Sequence, residues 1–233
     1  MTTASNLVTI EAGDRPIRQI NQEIRTAVAE GLDVAVTNTL SRHNLGVGLP
    51  AGATVRFDGS VGYYCGGLND GASIHIARDG GWGIGEAMAS GEIVIEGYAG
   101  MSVGASMRGG LIHVKGDAGP RCGVAMKGGD IIVEGMIGYL SGFMGHAGRI
   151  VALGGAGEAT ADSLWGGEVW VAGPIASLGV DTKIVEPSAD EVAAVEKLLS
   201  SRGLDGSWNW KKVVSAERLW HFESRDANAW LMI

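Results

Sequence analysis

The sequence predicts an all-β chain wound as a right-handed parallel β-helix, with an N-terminal capping helix and a C-terminal helix followed by an aromatic tail. Three observations predict it. Glycine supplies 39 of 233 residues, well above the ~7% of an ordinary chain, while only 5 prolines exclude collagen. The glycines fall in columns with a period of 19: Gly97, Gly116, Gly135, Gly154, Gly173; then Gly100, Gly119, Gly138, Gly157; then Gly104, Gly123, Gly142; then Gly91, Gly110, Gly129, Gly148, Gly167. At the same period run two apolar columns, Val55-Ile74-Ile93-Ile112-Ile131-Ile150-Val169 and, two residues on, Phe57-Ile76-Ile95-Val114-Val133-Ala152-Val171. An apolar–x–apolar triplet rich in β-branched residues is a short strand. Clustered glycines tolerate positive φ and close backbone approach, so they form corners. One strand with its corners in 19 residues is too short for a βαβ unit and fits one turn of a solenoid.

The elements follow in order. Residues 1–50 form a cap. Leu7 to Ile10 reads as a strand, and Asp14 is the expected N-cap of a helix starting near Arg15-Pro16. Ile17, Ile20, Ile24 and Val28 share one face of that helix and Gly31 ends it. Such a helix closes the open end of a solenoid. Residues 51–182 are the repeat. Residues 183–233 begin with Pro187-Ser188 and Glu191, a capping box before a helix with Val192, Val195, Leu198 and Leu199 on one stripe and Gly203 beyond it. Trp208, Trp210, Trp220 and Trp230, four of the seven tryptophans, lie in the last 31 residues with Phe222. That tail lacks the periodicity to form its own core. It docks either on the solenoid or on a partner.

Stacking makes each column a ladder with a rung every ~4.8 Å. Cys65 and Cys122 share a column three turns apart, about 14 Å, too far for a disulfide. Met88, Met107 and Met126 read as a core ladder. Glu96, Lys115 and Glu134 read as a solvated charge ladder. The column pointing away from the core is Arg56, His75, Val94, His113, Ile132, Val151, Trp170. Its apolar members require cover, from this chain's C-terminal segment or from another subunit. Val94, Ile132, Val151 and Trp170, with Trp208, Trp210, Trp220 and Trp230, are therefore the candidate interface residues. His75 and His113 stand two turns apart and cannot share a metal.

Composition limits the function. A net charge of −8 makes nucleic acid and anionic membrane poor partners. Met1 to Ala12 carries no basic n-region and no long apolar core, and the glycine-rich stretch from Gly135 to Gly148 is too short to span a bilayer. The expectation is a cytoplasmic protein. There is no CxxC, HExxH or Walker A pattern, and no aspartate column of the calcium-binding repeat type. Gly81-Trp82-Gly83-Ile84-Gly85 has nucleotide-loop spacing but precedes no helix. Asp70, Arg108, Lys127 and His146 share a column that is mostly basic and suits an acidic partner surface. The residues give no catalytic, cofactor-binding or metal site.

The run Gly97-x-x-Gly100-x-x-x-Gly104-x-x-x-x-Gly109-Gly110 and its 19-residue repetition resemble the GXGXG β-helix domain family. That domain ends the large subunit of glutamate synthase and also occurs as a separate subunit of formylmethanofuran dehydrogenase. The stand-alone beta subunits of N-methylglutamate synthase are similar in length. Val61-Gly62-Tyr63-Tyr64, Arg121 to Gly128, Gly138 to Met144 and Ser177 to Asp181 favour those beta subunits. The resemblance spans roughly Arg15 to Asp181. It implies a non-catalytic scaffold in a hetero-oligomeric enzyme that makes N-methyl-L-glutamate and ammonia from methylamine and L-glutamate. The implied partners are a glutamine amidotransferase-like subunit and an FMN-binding glutamate synthase-like subunit. FMN, and an iron–sulfur cluster where the family carries one, belong to that second partner. The alternatives are the formylmethanofuran dehydrogenase scaffold and a stand-alone β-helix enzyme acting on glycans.

Overall fold

The computed structural model describes residues 6–218. The chain opens with strand β1 (Leu7–Glu11), helix α1 (Ile17–Ala29) and strand β2 (Asp33–Thr37). The rungs of the repeat follow as β3 (Thr54–Phe57), β4 (Asp70–Ile76), β5 (Ser90–Ile95), β6 (Leu111–Val114), β7 (Lys127–Val133), β9 (Ala147–Ala152) and β11 (Glu168–Val171). Two short strands, β8 (Met136–Ile137) and β10 (Gly155–Ala156), pair with each other on another wall. The C-terminal part adds β12 (Thr182–Val185), helix α2 (Ala189–Ser200) and β13 (Lys211–Ser215).

Eleven strands form one sheet in the order β1-β2-β3-β4-β5-β6-β7-β9-β11-β13-β12. From β1 to β11 every pairing is parallel, and the register advances by the repeat itself: Val55 pairs with Ile74, Ile74 with Ile93, Ile93 with Ile112. This is the seven-rung parallel solenoid that the glycine and isoleucine columns predict. The boundaries expected near residues 50 and 182 fall inside this continuous sheet. Single bridges such as Gly80 to Ala99 and Ala99 to Ala118 extend the stacking along the wall of β8 and β10.

The core is the inside of the coil. Ile74, Ile93, Ile112, Ile131 and Ile150 are buried as one ladder, with Phe57, Ile76, Ile95, Val114 and Val133 beside them. Met88, Met107 and Met126 join this core, and Cys65 and Cys122 are buried free thiols. The two corner glycines Gly104 and Gly123 show why the columns are strict. Each has φ +66°, and a Cβ on either would lie 2.5 Å from the Cδ1 of Ile131 or Ile150. Gly119 needs smallness for another reason: its Cβ would meet the carbonyl carbon of Gly100, one turn earlier, at 2.9 Å.

Non-glycine residues share the left-handed corners. Tyr64, Ser102, Arg121 and Leu140 have φ between 57 and 62°. Each such residue costs about 1–2 kcal/mol. The offset is a hydrogen bond to the next turn: the amides of Tyr64, Ser102 and Arg121 donate to the carbonyls of Trp82, Pro120 and Tyr139 at 2.8–2.9 Å.

The ends differ from the repeat. Helix α1 crosses between β1 and β2, burying Ile20 and Ile24 against the core, with Ile17 and Val28 at the margin. Asn21 lies on the same buried face, where its amide nitrogen donates to the Asn44 carbonyl and its oxygen accepts from the Gly46 amide. The expected Asp14 cap is a correction: Pro16 occupies the N-cap position and no side chain caps the helix. Proline holds its own φ at −58° there, and Asp14 lies further out than a capping side chain needs. The helix stops at Gly31 as expected. The amides of Gly31 and Leu32 return to the carbonyls of Val28 and Ala27, a Schellman closure. At the other end, β13 adds to β11 antiparallel and β12 adds to β13 antiparallel. The solenoid therefore stops with a reversed hairpin-like edge rather than an eighth parallel rung.

Candidate functional site

Two outer walls carry the candidate surfaces. The first is the outward face of the eleven-stranded sheet. Its central column pairs in register as Arg56-His75-Val94-His113-Ile132-Val151-Trp170 and ends on Lys212 of β13. Ile132, Val151 and Trp170 are buried, and their cover is this chain's own C-terminal segment. Val195 and Leu199 of α2 and the Trp210 ring close over them, with Val192, Leu198 and Trp208 at the margin. Trp210 meets Trp170 edge-on at 5.9 Å between ring centres, and Trp208 tilts against Trp210 at 5.6 Å. The Ser188 capping box starts α2, its hydroxyl accepting from the Glu191 amide.

One cation ties this cover down. Lys212 Nζ lies 2.7 Å from Glu168 of β11 and 2.5 Å from Glu191 of α2, and 5.6 Å from the centre of the Trp170 ring. Its side chain is only 8% exposed. Burial disfavours the ammonium, but the hydrogen bonds to Glu168 and Glu191 outweigh that, so its pKa stands above the ordinary lysine value. The Lys212 ammonium, helped by the Ser188 amide, holds the Glu191 carboxyl down at about 2. The Trp170 indole N–H donates to Glu168 at 2.8 Å. At the far end of α2, Arg202 pairs with Glu92 of β5 at 2.5 Å.

Ahead of this cover the outward face is polar and internally paired. His75 lies 2.8 Å from Glu96, which also accepts from Lys115 at 2.8 Å, and these bonds, Lys115 first, hold the Glu96 carboxyl below its usual range. His113 lies 2.9 Å from Glu134 with its ring nearly fully buried. Arg149 donates to Asp130 at 2.8 Å. Val94 sits half-buried among these groups. Among the described residues, no three His, Cys, Asp or Glu side chains stand together as a metal-holding group. Burial pushes the Cys122 thiol up to about 12, and Cys65 up further. Neither is a ready nucleophile. Arg108, Lys127 and His146 stand exposed along one column, and the His146 ring stacks on Trp165 at 6.2 Å.

The second wall lies at the corners. Trp82 stands in the Gly81–Gly85 run, and Tyr63 and Tyr139 in runs that carry the family resemblance, but none of its residues is among the interface candidates the sequence offers. Tyr63, Trp82, Met101, Pro120 and Tyr139 recur every 19 residues in one column, and Tyr98 and Met136 lie in a parallel one. Between the two columns runs a groove floored by Gly62, Gly81, Gly100 and Gly119. One stretch of it encloses about 720 Å³ and the next about 440 Å³, and Trp82 and Tyr98 line both. The 19-residue step that reveals the core also reveals this column.

The interface residues expected from sequence thus divide. Ile132, Val151, Trp170 and Trp210 are brought together inside the chain, with Trp208 beside them and Val94 outside the cover. Trp220 and Trp230 lie outside the described residues. The structural glycines Gly97, Gly116 and Gly135, Gly100, Gly119 and Gly138, and Gly104, Gly123 and Gly142 all lie at corners of stacked turns.

Residues 17–201 match the GXGXG motif family. The chain belongs to that family. The match runs over helix α1, every rung of the solenoid and all of helix α2. An 88-residue stretch is also 37% identical to the protein GlxC of Rhizobium meliloti (strain 1021), covering 37% of this chain and 39% of GlxC. The similarity to GlxC thus spans about two fifths of that relative. No helix among the described residues is long and apolar enough to cross a membrane.

Proposed function

We propose that this GXGXG chain is a non-catalytic scaffold subunit of a glutamate synthase-like complex. Its partners in this reading are a glutamine amidotransferase-like subunit and an FMN-binding synthase-like subunit, which it holds in register. In its finest form the complex is an N-methylglutamate synthase, joining methylamine to L-glutamate with release of ammonia. FMN sits in the partner and none is held by this chain.

The observation that carries the reading is the GXGXG family match over residues 17–201. The side chains agree with it. The polar and charged groups of the sheet face are tied to one another across rungs, as in His75–Glu96–Lys115 and Glu168–Lys212–Glu191. Both thiols are buried. A rod of stacked rungs gives fixed spacing along its length, which is what two separate catalytic bodies need from a common support.

The test is affinity purification of the tagged chain from its native host, with mass spectrometry and an absorbance spectrum. The reading expects amidotransferase-like and flavin-binding polypeptides in constant ratio and a bound-flavin band. A lone, colourless chain overturns it.

A further inference from the structure

We propose that the groove between Tyr98 and the Tyr63-Trp82 column is a seat for an extended, proline-rich, cationic segment of a partner subunit. This deepens the scaffold reading and rests on it only for the identity of the partner.

The walls are aromatic. Trp82 is 62% exposed, Tyr98 56% and Tyr63 45%. An aromatic side chain covers ~150–250 Å² when buried, so these three rings offer roughly 300 Å² of apolar surface. That is about a third of what one partner contributes to a standard interface of ~800 Å² per side. The floor is glycine backbone whose amides are already used between turns, as when the Gly100 amide donates to the Gly80 carbonyl at 2.9 Å. A ligand strand therefore cannot join a ladder on that floor, which disfavours β-addition. A polyproline II segment needs no ladder. It carries its carbonyls outward and packs on aromatic walls whose indole and phenol groups donate to them.

The spacing agrees. Polyproline II rises about 3.1 Å per residue, or about 9.3 Å per three residues. Two solenoid turns rise about 9.6 Å. A ligand repeating every third residue thus stays in phase with features repeating every second turn. Asp79 and Asp117 are such features, one column two turns apart on the groove edge. Asp79 Oδ1 accepts from the Tyr98 amide at 3.1 Å and its Oδ2 from the Ser60 hydroxyl at a long 3.5 Å, while Asp117 Oδ1 accepts from the Met136 amide at 2.7 Å. Neither pairs with a lysine or arginine among the described residues. Cations three residues apart on the ligand meet both carboxylates. The occupant is accordingly cationic as well as proline-rich, in a chain whose own net charge is −8.

The probe is a fluorescently labelled peptide of three Arg-Pro-Pro repeats, titrated into the full-length chain by anisotropy. The control peptides carry Arg-Gly-Gly and Glu-Pro-Pro repeats. The expected result is saturable binding that weakens on the order of tenfold in Trp82→Ala. Asp79→Asn and Asp117→Asn keep the capping oxygen, so the fold stays intact, and each should weaken binding severalfold and flatten its salt dependence. Circular dichroism confirms that each variant is folded. Equal binding of the glycine control, or no effect of Trp82→Ala, overturns the proposal. So does a self-associated chain that Trp82→Ala turns monomeric without any peptide binding, since the occupant is then a second copy. Tighter peptide binding after removal of residues 219–233 also overturns it, because the tail is then the occupant. Failure here leaves co-purification of the two partner subunits unaffected, so the groove and the scaffold reading fail separately.

Discussion

Ile131 and Ile132 are neighbours on one strand, both fully buried, and they are buried by different means. Ile131 points into the coil, where Ile112 and Ile150, one turn either side, cover it. Ile132 points outward, where Val195, Leu199 and Trp210 of the non-repeating C-terminal segment cover it. The inner burial is made by the repeat and is rebuilt at every turn. The outer burial is made once, by a helix and two tryptophans, and is pinned by Lys212. The same parallel sheet thus has one face closed by periodicity and one closed by a single attachment.

The sharpest way to break the inner face is at its corners. Gly123→Val forces a β-branched residue into φ +66° with its Cβ against Ile150. Strain and overpacking together should cost about 5 kcal/mol or more, enough to abolish a cooperative thermal transition. Gly31→Val is the matched control. Its φ is +75° but nothing lies within 4 Å of the added Cβ, so only the backbone cost of about 1–2 kcal/mol remains. Similar losses at the two sites would mean that close packing does not set the glycine columns.

The outer face should break more gently and more locally. Trp170→Ala should cost about 3 kcal/mol and loosen α2 before the rungs. Hydrogen exchange would then rise first in residues 189–200 while β5, β6 and β7 stay protected. Simultaneous loss of protection in the rungs would make cover and coil a single cooperative unit.

The Lys212 tie has a signature in acid. The Glu191 carboxyl is depressed to about 2, so its contribution is present above the unfolded pKa of about 4.3 and is lost as pH falls toward 2. Lys212, raised above its ordinary value, stays charged throughout that range, and its contribution fades only when alkaline pH passes its folded pKa. Lys212→Met should therefore show less acid-induced loss of urea resistance between about pH 5 and pH 3 than the parent. An unchanged pH profile would remove the tie from the account. The smallest effect belongs to the thiols. Cys65 and Cys122 should both resist iodoacetamide in the native chain and react after denaturation, read by mass spectrometry.

The same contrast explains what is legible in the sequence. Contacts inside the coil join residues about 19 apart, and a fixed step along the chain reveals them. The rungs, the columns from Gly91 to Gly167, the methionine ladder and the unbridged cysteines are all readable that way. The capping box at Ser188 is readable because it is local. The cover is readable only as a need: Ile132, Val151 and Trp170 have to be hidden, but a contact between Trp170 and Trp210 has no period. Strands β12 and β13 are illegible for the same reason. Lys211 to Ser215 lacks alternation, and it becomes a strand because β11 offers an open edge. The left-handed corners at Tyr64, Ser102 and Arg121 hide among ordinary residues because hydrogen bonds to the next turn, not residue type, select them. The aromatic groove is periodic, yet Tyr63, Trp82 and Tyr98 match no charged or metal-binding pattern, and only their placement over the glycine floor makes a groove of them.

The measurement that tests the central claim most directly is reconstitution from separately purified subunits. The account predicts that the flavin partner binds FMN without this chain, while synthesis of N-methyl-L-glutamate from methylamine and L-glutamate, with its equivalent of ammonia, appears only when this chain is added to both partners. Coupled synthesis by the two partners alone, or turnover by this chain alone, would contradict the account.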